Sequence, residues 1–481
     1  MEYTHRDEHL TPYDVIISGG EIVSGTSLVL GRGDIAIRGE KIARIAPHVD
    51  VPCRRRIDAK GLLVLPGLID PHVHTSLPMR GTVSSDDPAS ATAAALFGGV
   101  TTIIDFTEQR AGQNLPESLR DKLSLLAGHA HTDYALHVNV TDFGPGFEER
   151  LAADLAAVVR LGAISFKVFP CYSKEGHAIS RDHLKTLLKM SDAMGLLVLV
   201  HAENDRILLA NEEKLLATGQ IAPRDYPRSR PPRAEARAIS DVIEAARAVD
   251  AAVYFVHVST AGGLKRIVAG RQRASKPIYL ETCPHYLILD ESVYTGLDAA
   301  QFMVAPPLRA PEHREALLKG LGRGHVDVVA TDHCPFLRNQ KDRPGAPFTE
   351  IPNGLPGVET RLALLFTIAV MPRLITLERL VDLTSTNPAM IMGLYPRKGC
   401  IRPGSDADLV LFDPNTQWTI QPSGLHMNTD FSPHDGFKAT GQVRTVLLRG
   451  KVVLENGALC SCKSGRYLKR DPQGLSAGAG P

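Results

Sequence analysis

The sequence places histidines and an aspartate at the ends of short apolar segments. His72 and His74 lie in DPHVHT, His201 follows LLVLV, His257 follows VYFV, and Asp332 follows VDVVAT. Neutral imidazole and carboxylate are ligands for Zn2+ and related divalent metals. In an extended segment, residues two apart point to the same side, so His72 and His74 can bind one ion together. One such histidine would be an ordinary core or surface residue, but this recurrence predicts a metal site.

A lysine lies inside the apolar stretch GAISFKVFPCYS, and its position raises a chemical question. Lys167 would be costly to bury as an unpaired ammonium. Desolvation and nearby cations lower a lysine pKa, and the neutral amine can react with carbon dioxide to give a carbamate. The two oxygens of a carbamate could bridge two metal ions. Two alternatives stay open: a side chain that reaches solvent, and a Schiff-base lysine, which gives no reason for the surrounding histidines.

The candidate ligands lie in the middle of the chain, which repeats one pattern. In each repeat, a short apolar segment is followed by a segment with a helical pattern. The eight apolar segments are LLVLPGLID, GVTTIIDF, YALHVNVT, AISFKVF, LLVLVHAEN, VYFVHVST, PIYLETCPH and VDVVATDHCP. Apolar strands that alternate with amphipathic helices indicate a parallel sheet covered on both faces. Eight repeats predict an α/β fold of the (β/α)8 TIM-barrel type, in which functional residues lie at the carboxyl ends of the strands.

The two ends of the chain have a different pattern, with short hairpin-like strands such as YDVIISGGEIV and VRTVLLRGKVVLENGAL. We expect them to form one small β-sandwich, with the barrel inserted between its halves. The predicted divisions are 1–60 and 396–460 for the two parts of the sandwich, 61–395 for the barrel, and 461–481 for a flexible tail.

Composition excludes several function classes. The 54 Lys and Arg residues against 53 Asp and Glu give a net charge of +1, which predicts no nucleic-acid or anionic-membrane partner. The longest apolar run, LALLFTIAVM, is too short to span a bilayer and predicts a buried helix. The first residues lack the apolar core of a signal peptide, and the seven cysteines are scattered, so we expect a cytoplasmic protein.

Longer motifs resemble one family over nearly the whole chain. DPHVH, the strand lysine, HAEN, HVST and ATDHCP resemble the cyclic amidohydrolases, which comprise dihydropyrimidinases, hydantoinases, allantoinases and dihydroorotases. RGTVSSDD, ETCPHYL, APPLR, FTEIPNGLPGVETRL and DFSPHDG are most similar to the dihydropyrimidinase and D-hydantoinase branch. The resemblance implies two zinc ions bridged by Lys167 as N6-carboxylysine. It assigns His72, His74, Lys167 and Asp332 to one ion, and Lys167, His201 and His257 to the other.

The resemblance also implies a reaction, in which a hydroxide bridging the two metals attacks a ring carbonyl and yields an N-carbamoyl amino acid. Asp332 would carry the proton to the leaving nitrogen, and Tyr172 would stabilise the oxyanion. Backbone groups at Ala305 and Asn353 would bind the imide edge of a small cyclic amide substrate. A homotetramer is implied in the same way.

The sequence departs from the family pattern at Ser76, Met79, Arg80 and Ala305, which leaves the ring substrate and its enantiomer open. Ser76 stands where a dihydroorotase would have an arginine, which argues against that activity. Allantoinase fits less well than dihydropyrimidinase because GTVSSDD is typical of the other branch. The non-enzymatic relatives, the collapsin response mediator proteins, lose the metal ligands that this chain retains.

Overall fold

The computed structural model describes residues 13–25, 29–460 and 463–472. The strands in chain order are β1 Tyr13–Val23, β2 Val29–Arg38, β3 Lys41–Ala46, β4 Cys53–Asp58, β5 Leu63–Pro66, β6 Leu68–Val73, β7 Pro78–Met79, β8 Thr82–Val83, β9 Val100–Phe106, β10 Asp133–Asn139, β11 Ser165–Val168, β12 Leu197–Val200, β13 Val253–Phe255, β14 Ile278–Thr282, β15 Val328–Val329, β16 Leu409–Thr419, β17 Lys438–Leu448, β18 Lys451–Glu455 and β19 Ala458–Leu459.

The helices lie mostly between the strands of the middle region. They are α1 Pro88–Phe97, α2 Leu115–Leu126, α3 Phe147–Leu161, α4 Arg181–Ala193, α5 Asp205–Ala217, α6 Tyr226–Ser229, α7 Pro232–Ala248, α8 Ala261–Arg271, α9 Pro284–Ile288, α10 Pro311–Gly322, α11 Arg338–Lys341, α12 Arg361–Leu365, α13 Leu377–Val381 and α14 Asn387–Ile391. The predicted buried helix is α12 with the π-helical turn that continues it, and no helix of the described residues has the length and apolarity to cross a membrane.

Strands β6 and β9 to β15 form one eight-stranded parallel sheet in which neighbours in sequence are neighbours in space. A parallel bridge between Val73 and His333 joins the first strand to the segment after the last one. The backbone N–H of His74 also donates to the carbonyl of His333 at 2.8 Å. The sheet therefore closes into a barrel, which confirms the predicted fold class.

The barrel forms because its strands are apolar on both faces while its helices are apolar on one. Every residue of β10 is buried, as expected of a strand covered on both sides. In α3, Leu151, Leu155 and Val158 recur at helical spacing and are buried. Inside the barrel, Ile104 and Tyr254 pack in an inner apolar cluster below the strand ends that carry the polar residues.

The second sheet has nine strands and is built from both ends of the chain, as predicted. Strands β16 to β19 continue through β5 and β1 into β2 and β3, and β4 pairs with β1. The predicted start of the barrel at residue 61 is wrong, because the segment LLVLPGLID contains two strands. Strand β5 pairs with β1 and β16 in the second sheet, and β6 begins the barrel after Gly67. A Cβ on Gly67 would lie 2.1 Å from Thr101 Oγ1, so the crossing between the sheets requires glycine.

Residues 463–472 pack against the barrel, which corrects the expectation of a flexible tail for this part of the chain. Tyr467 forms a bridge with Tyr134, and Leu468 is fully buried in the inner apolar cluster. Arg470 is 3% exposed, and its guanidinium donates to the carbonyl of Leu136 and to Ser165 Oγ. The rest of the predicted tail lies outside the described residues, and the other domain limits stay predictions.

Candidate metal centre

The six residues predicted to bind metal come together at the carboxyl ends of the barrel strands. They line one cavity of about 450 Å³ and comprise His72, His74, Lys167, His201, His257 and Asp332. Each lies near the carboxyl end of a barrel strand or shortly after it, so closure of the barrel brings them together from distant parts of the sequence.

Asp332 lies between the two histidines of the first strand. Its Oδ1 atom is 3.1 Å from His72 Nε2 and 3.2 Å from His74 Nε2. Burial alone would raise the pKa of Asp332, but the neighbouring His72 and His74 outweigh it and hold the pKa well below its usual range. Asp332 is therefore an ionised carboxylate beside two imidazoles, a set of donors that can hold a divalent cation.

Several histidine nitrogens of the site are buried without a hydrogen-bond partner among the described residues. These atoms are His72 Nε2, His74 Nδ1 and His257 Nδ1. Burial lowers the pKa of His74 and, more strongly, that of His257, so both rings are neutral and keep a lone pair. Buried polar atoms normally have partners, and unpartnered neutral imidazoles beside a carboxylate fit a divalent metal centre.

Lys167 is buried beside this set, which excludes the solvent-facing alternative. The residue is 2% exposed, and its Nζ lies 5.0 Å from the ring centroid of Phe106 and 5.5 Å from that of Phe169. Burial lowers the pKa of Lys167 to about 8, although Asp332 and Glu281 act in the opposite direction. Near neutral pH, the neutral, nucleophilic amine is therefore far more populated than in an exposed lysine.

Glu281 contacts two of the predicted metal ligands, His72 and His257, and the sequence analysis did not identify it. His72 Nδ1 lies 2.7 Å from Glu281 Oε1, which also accepts the backbone N–H of His257 at 3.0 Å. Tyr254 donates its hydroxyl to Glu281 Oε2 at 2.7 Å. This contact places the proton of His72 on Nδ1 and turns Nε2 toward Asp332. Glu281 lies near the end of β14, so its position in the barrel repeat was a signal that could have revealed it.

A second polar network connects His201 to Tyr172. His201 Nε2 lies 2.7 Å from Glu203 Oε2, and the guanidinium of Arg230 pairs with the same carboxylate. Arg230 Nη2 also donates to the hydroxyl oxygen of Tyr172 at 3.2 Å. Burial raises the pKa of Tyr172 well above its ordinary value, so the phenol keeps its proton. Arg230 lies in the loop before α7, where no sequence pattern predicted it.

Three residues of the site adopt left-handed backbone conformations that are unusual for residues other than glycine. The φ angles are 71° at Tyr172, 39° at His257 and 51° at Asp332. Such conformations cost free energy and cluster where the surrounding structure fixes a side chain for a task. Their occurrence at three predicted functional residues supports the assignment of this cavity as the active site.

The segments predicted to bind the imide edge form another wall of the cavity. Ala305, Asn353 and Gly354 line it. The backbone N–H of Gly354 donates to the carbonyl of Met303 at 2.9 Å. The buried Lys341 donates from Nζ to the carbonyls of Met303 and Gly354, at 2.8 Å and 2.6 Å. Lys341, which the sequence analysis missed, thus ties the two segments together.

Apart from Ala305, the departures from the family pattern lie in one segment at the cavity mouth. Met79 and Arg80 belong to the hairpin of β7 and β8, and both line the cavity. The backbone N–H of Asn353 donates to Met79 Sδ at 3.1 Å. Arg80 Nη2 lies 3.7 Å from Glu175 Oε1, so this pair crosses from the hairpin to the loop after β11. Ser76 has a φ of 50° and begins the same turn.

Comparisons with known proteins agree with this geometry. Residues 63–453 match the amidohydrolase family. The chain is 37% identical over 461 residues to a D-hydantoinase from Ralstonia pickettii, covering 95% of this chain and 99% of that one. It is 36% identical to a D-hydantoinase from Geobacillus stearothermophilus, covering 95% and 97%. The crystal structure of a dihydropyrimidinase from Brevibacillus agri superposes with a TM-score of 0.91 at 37% identity, covering 95% and 98%.

Proposed function

The chain belongs to the amidohydrolase family, and we propose that it is a metal-dependent hydrolase that opens cyclic amides and imides. The substrates are 5,6-dihydropyrimidines and hydantoins, the ring C–N bond is the one that breaks, and the products are N-carbamoyl amino acids. The observation that carries this proposal is the cavity that combines the histidine and carboxylate set with Lys167 and Tyr172. The likeness to D-hydantoinases over 95% of the chain supports the substrate class.

The residues that would hold two divalent metal ions, most suitably Zn2+, divide into two sets. His72, His74 and Asp332 would hold one ion, His201 and His257 the other, and Lys167 would serve both in its carboxylated form. Carboxylation joins the neutral amine of Lys167 to carbon dioxide through a new N–C bond and releases one amine proton. When bound, the ions lower the pKa of water and polarise the substrate carbonyl.

Asp332 and Tyr172 would carry out the proton transfer and charge stabilisation. Asp332 accepts the proton of the attacking water and delivers it to the ring nitrogen as the C–N bond breaks. Arg230 occupies a lone pair of the Tyr172 oxygen, so the phenol proton is free to bond the carbonyl oxygen as negative charge develops there. The Arg230 guanidinium also orients the Tyr172 O–H bond, which the phenol needs in order to stabilise the charge on the substrate oxygen.

We expect Lys341→Met to raise the KM for hydantoin by about ten-fold while kcat changes much less, because the lysine orders the segments that bind the imide edge. The substitution keeps an unbranched side chain, one atom shorter, but leaves the carbonyls of Met303 and Gly354 without the lysine donor. Steady-state kinetics on folded protein, with Lys319→Met on the exposed surface as the control, measure this effect. A fall in kcat at unchanged KM would contradict the positioning role.

The proposed assembly rests on the family resemblance, and the proposed location rests on the scattered cysteines. We propose a homotetramer that acts in the cytoplasm on a small molecule, with neither nucleic acid nor a membrane as partner. The net charge of +1 supports the absence of a nucleic-acid partner. Light scattering at working concentration measures the assembly directly.

The experiment that tests the proposed function is a comparison of ring opening by the zinc-loaded protein. Hydantoin, dihydrouracil, a 5-aryl hydantoin, allantoin and dihydroorotate are offered side by side, with and without a chelator. We expect turnover of hydantoin or dihydrouracil that the chelator abolishes and zinc restores. Turnover of allantoin alone would favour the allantoinase alternative. Inactivity on every ring with two metals bound would contradict the proposed substrates and indicate that the altered loop after His74 serves another cyclic amide. Inactivity without bound metal would favour a non-enzymatic scaffold.

A further inference from the structure

One wall of the cavity, formed where β9 and β10 end, is polar and has no role in the reaction described above. Glu108, Asn139 and Thr141 line this wall. The two strands remain side by side beyond their ends, since the backbone N–H of Asn139 donates to Thr107 Oγ1 at 3.1 Å. Further along, the N–H of Thr141 donates to Gln109 Oε1 at 2.8 Å. The wall is therefore a fixed extension of the barrel.

The Oε1 atom of Glu108 is buried without a hydrogen-bond partner in the part of the chain that the structure describes. Its cationic neighbour, Lys122, donates to the carbonyl of Thr75 at 2.6 Å and lies 3.2 Å from Asp105 Oδ2. Glu108 Oε1 is 3.8 Å from the same Nζ, beyond hydrogen-bond distance, and the side chain is 32% exposed to the cavity. Burial raises the pKa of Glu108 to about 7, although the nearby Lys122 acts in the opposite direction.

Asn139 provides the second, independent observation. The residue is 8% exposed, and its Oδ1 atom is buried without a hydrogen-bond partner among residues 13–25, 29–460 and 463–472. It is the register neighbour of Lys167 in the paired strands β10 and β11, so it lies beside the reacting centre. A buried amide without a partner is unfavourable, and a bound molecule would complete its hydrogen bonding.

We propose that Glu108 and Asn139 form a subsite for a ring substituent that ends in N–H donors, such as a carboxamide, ureido or amino group. The inference rests on the proposed function and narrows its substrate class. Glu108 Oε1 and Asn139 Oδ1 can both accept a hydrogen bond and both lack a partner among the described residues, which favours a substituent with N–H donors. A carboxylate substituent has no N–H group to offer them. Arg80 does not reverse this preference, because it is directed toward Glu175.

The proposed subsite also predicts a large difference in kcat/KM between substrates with polar and apolar ring substituents of the same size. A site built to hydrogen-bond a substrate group rejects the analogue that lacks it, because the buried polar atoms of the protein then stay unpaired. An apolar substituent of the same shape would leave both Glu108 and Asn139 without partners. The preference should therefore appear in kcat/KM between substrates of equal size.

Three hydantoins with side chains of nearly equal shape test the proposal: carbamoylethyl, isopentyl and carboxyethyl. We expect kcat/KM for the carbamoylethyl compound to exceed that for the isopentyl compound by at least about ten-fold, and that for carboxyethyl by more. Glu108→Leu should remove most of this preference, whereas Glu108→Gln, which keeps an acceptor oxygen, should retain it. Glu149→Leu, at an exposed glutamate on α3, is the matched control and should retain the ratio.

The outcomes separate this inference from the proposed function. If hydantoin is opened but the isopentyl compound reacts as well as the carbamoylethyl compound, the subsite is refuted and the proposed function stands. A preference for the carboxyethyl compound would also overturn it and assign the substituent to Arg80. A ratio that is unchanged in Glu108→Leu would exclude Glu108 as its source. Failure to open any hydantoin would refute this inference, and failure to open dihydrouracil as well would refute the proposed function.

Discussion

Lys167→Ala is expected to lose at least about 1000-fold in kcat/KM and most of its bound zinc, because one side chain serves both metal positions. The structure supports this prediction through the burial of Lys167 among rings and histidines, where an alanine leaves no donor in its place. Metal content by atomic emission and hydantoin turnover are measured on the same preparation. Lys189→Ala, on the exposed face of α4, is the control and should retain both.

Carboxylation is tested separately from metal binding. Metal-free protein reconstituted with zinc in carbon-dioxide-free buffer should regain activity slowly, and added bicarbonate should accelerate the recovery. Lys167→Ala should respond to bicarbonate in neither metal content nor turnover. A variant that kept two metals and full activity, or recovery that ignored bicarbonate, would refute the carbamate.

Tyr172→Phe is expected to lower kcat by about 100- to 1000-fold while metal content and KM change little. The hydroxyl is the group removed, and its role arises only as charge develops on the substrate oxygen. Arg230 would still pair with Glu203, so the network around His201 keeps its main contacts. Kinetics and metal analysis on one sample separate the two effects.

Tyr467→Phe is the control for that experiment, because it removes a tyrosine hydroxyl that has no partner in the described part of the chain, far from the cavity. It should retain full kcat. Unchanged turnover in Tyr172→Phe would remove Tyr172 from the reaction. A parallel loss of metal would instead indicate that the hydroxyl stabilises the centre through Arg230.

The sequence was sufficient for the features that follow from the barrel repeat. His72, His201 and Asp332 could be assigned to one place because each comes at the end of an apolar segment, and such ends meet in a closed parallel sheet. Lys167 was recognisable because a lysine is chemically out of place in that setting. Local pattern and general barrel geometry were enough in these cases.

Features that depend on contacts between distant segments could not be predicted from the local sequence pattern. Arg230 reaches Tyr172 across 58 residues, and Lys341 reaches Met303 across 38, from loops with no periodic pattern. The division of LLVLPGLID into β5 and β6 also depends on a remote partner, since β5 pairs with β16 near the other end of the chain. A continuous apolar run gives no sign of such a change of sheet.

The packing of residues 463–472 has a consequence for folding during synthesis. The backbone N–H of Arg466 donates to Asp133 Oδ1, across 333 positions, and Leu468 fills the inner apolar cluster of a barrel whose last strand ends at Val329. During synthesis, which proceeds from the amino end, the barrel strands are all available long before these residues emerge. Residues 389–394 reach the same apolar cluster earlier, and Leu468 joins it last. The packing of the inner cluster is therefore completed by a late, long-range contact.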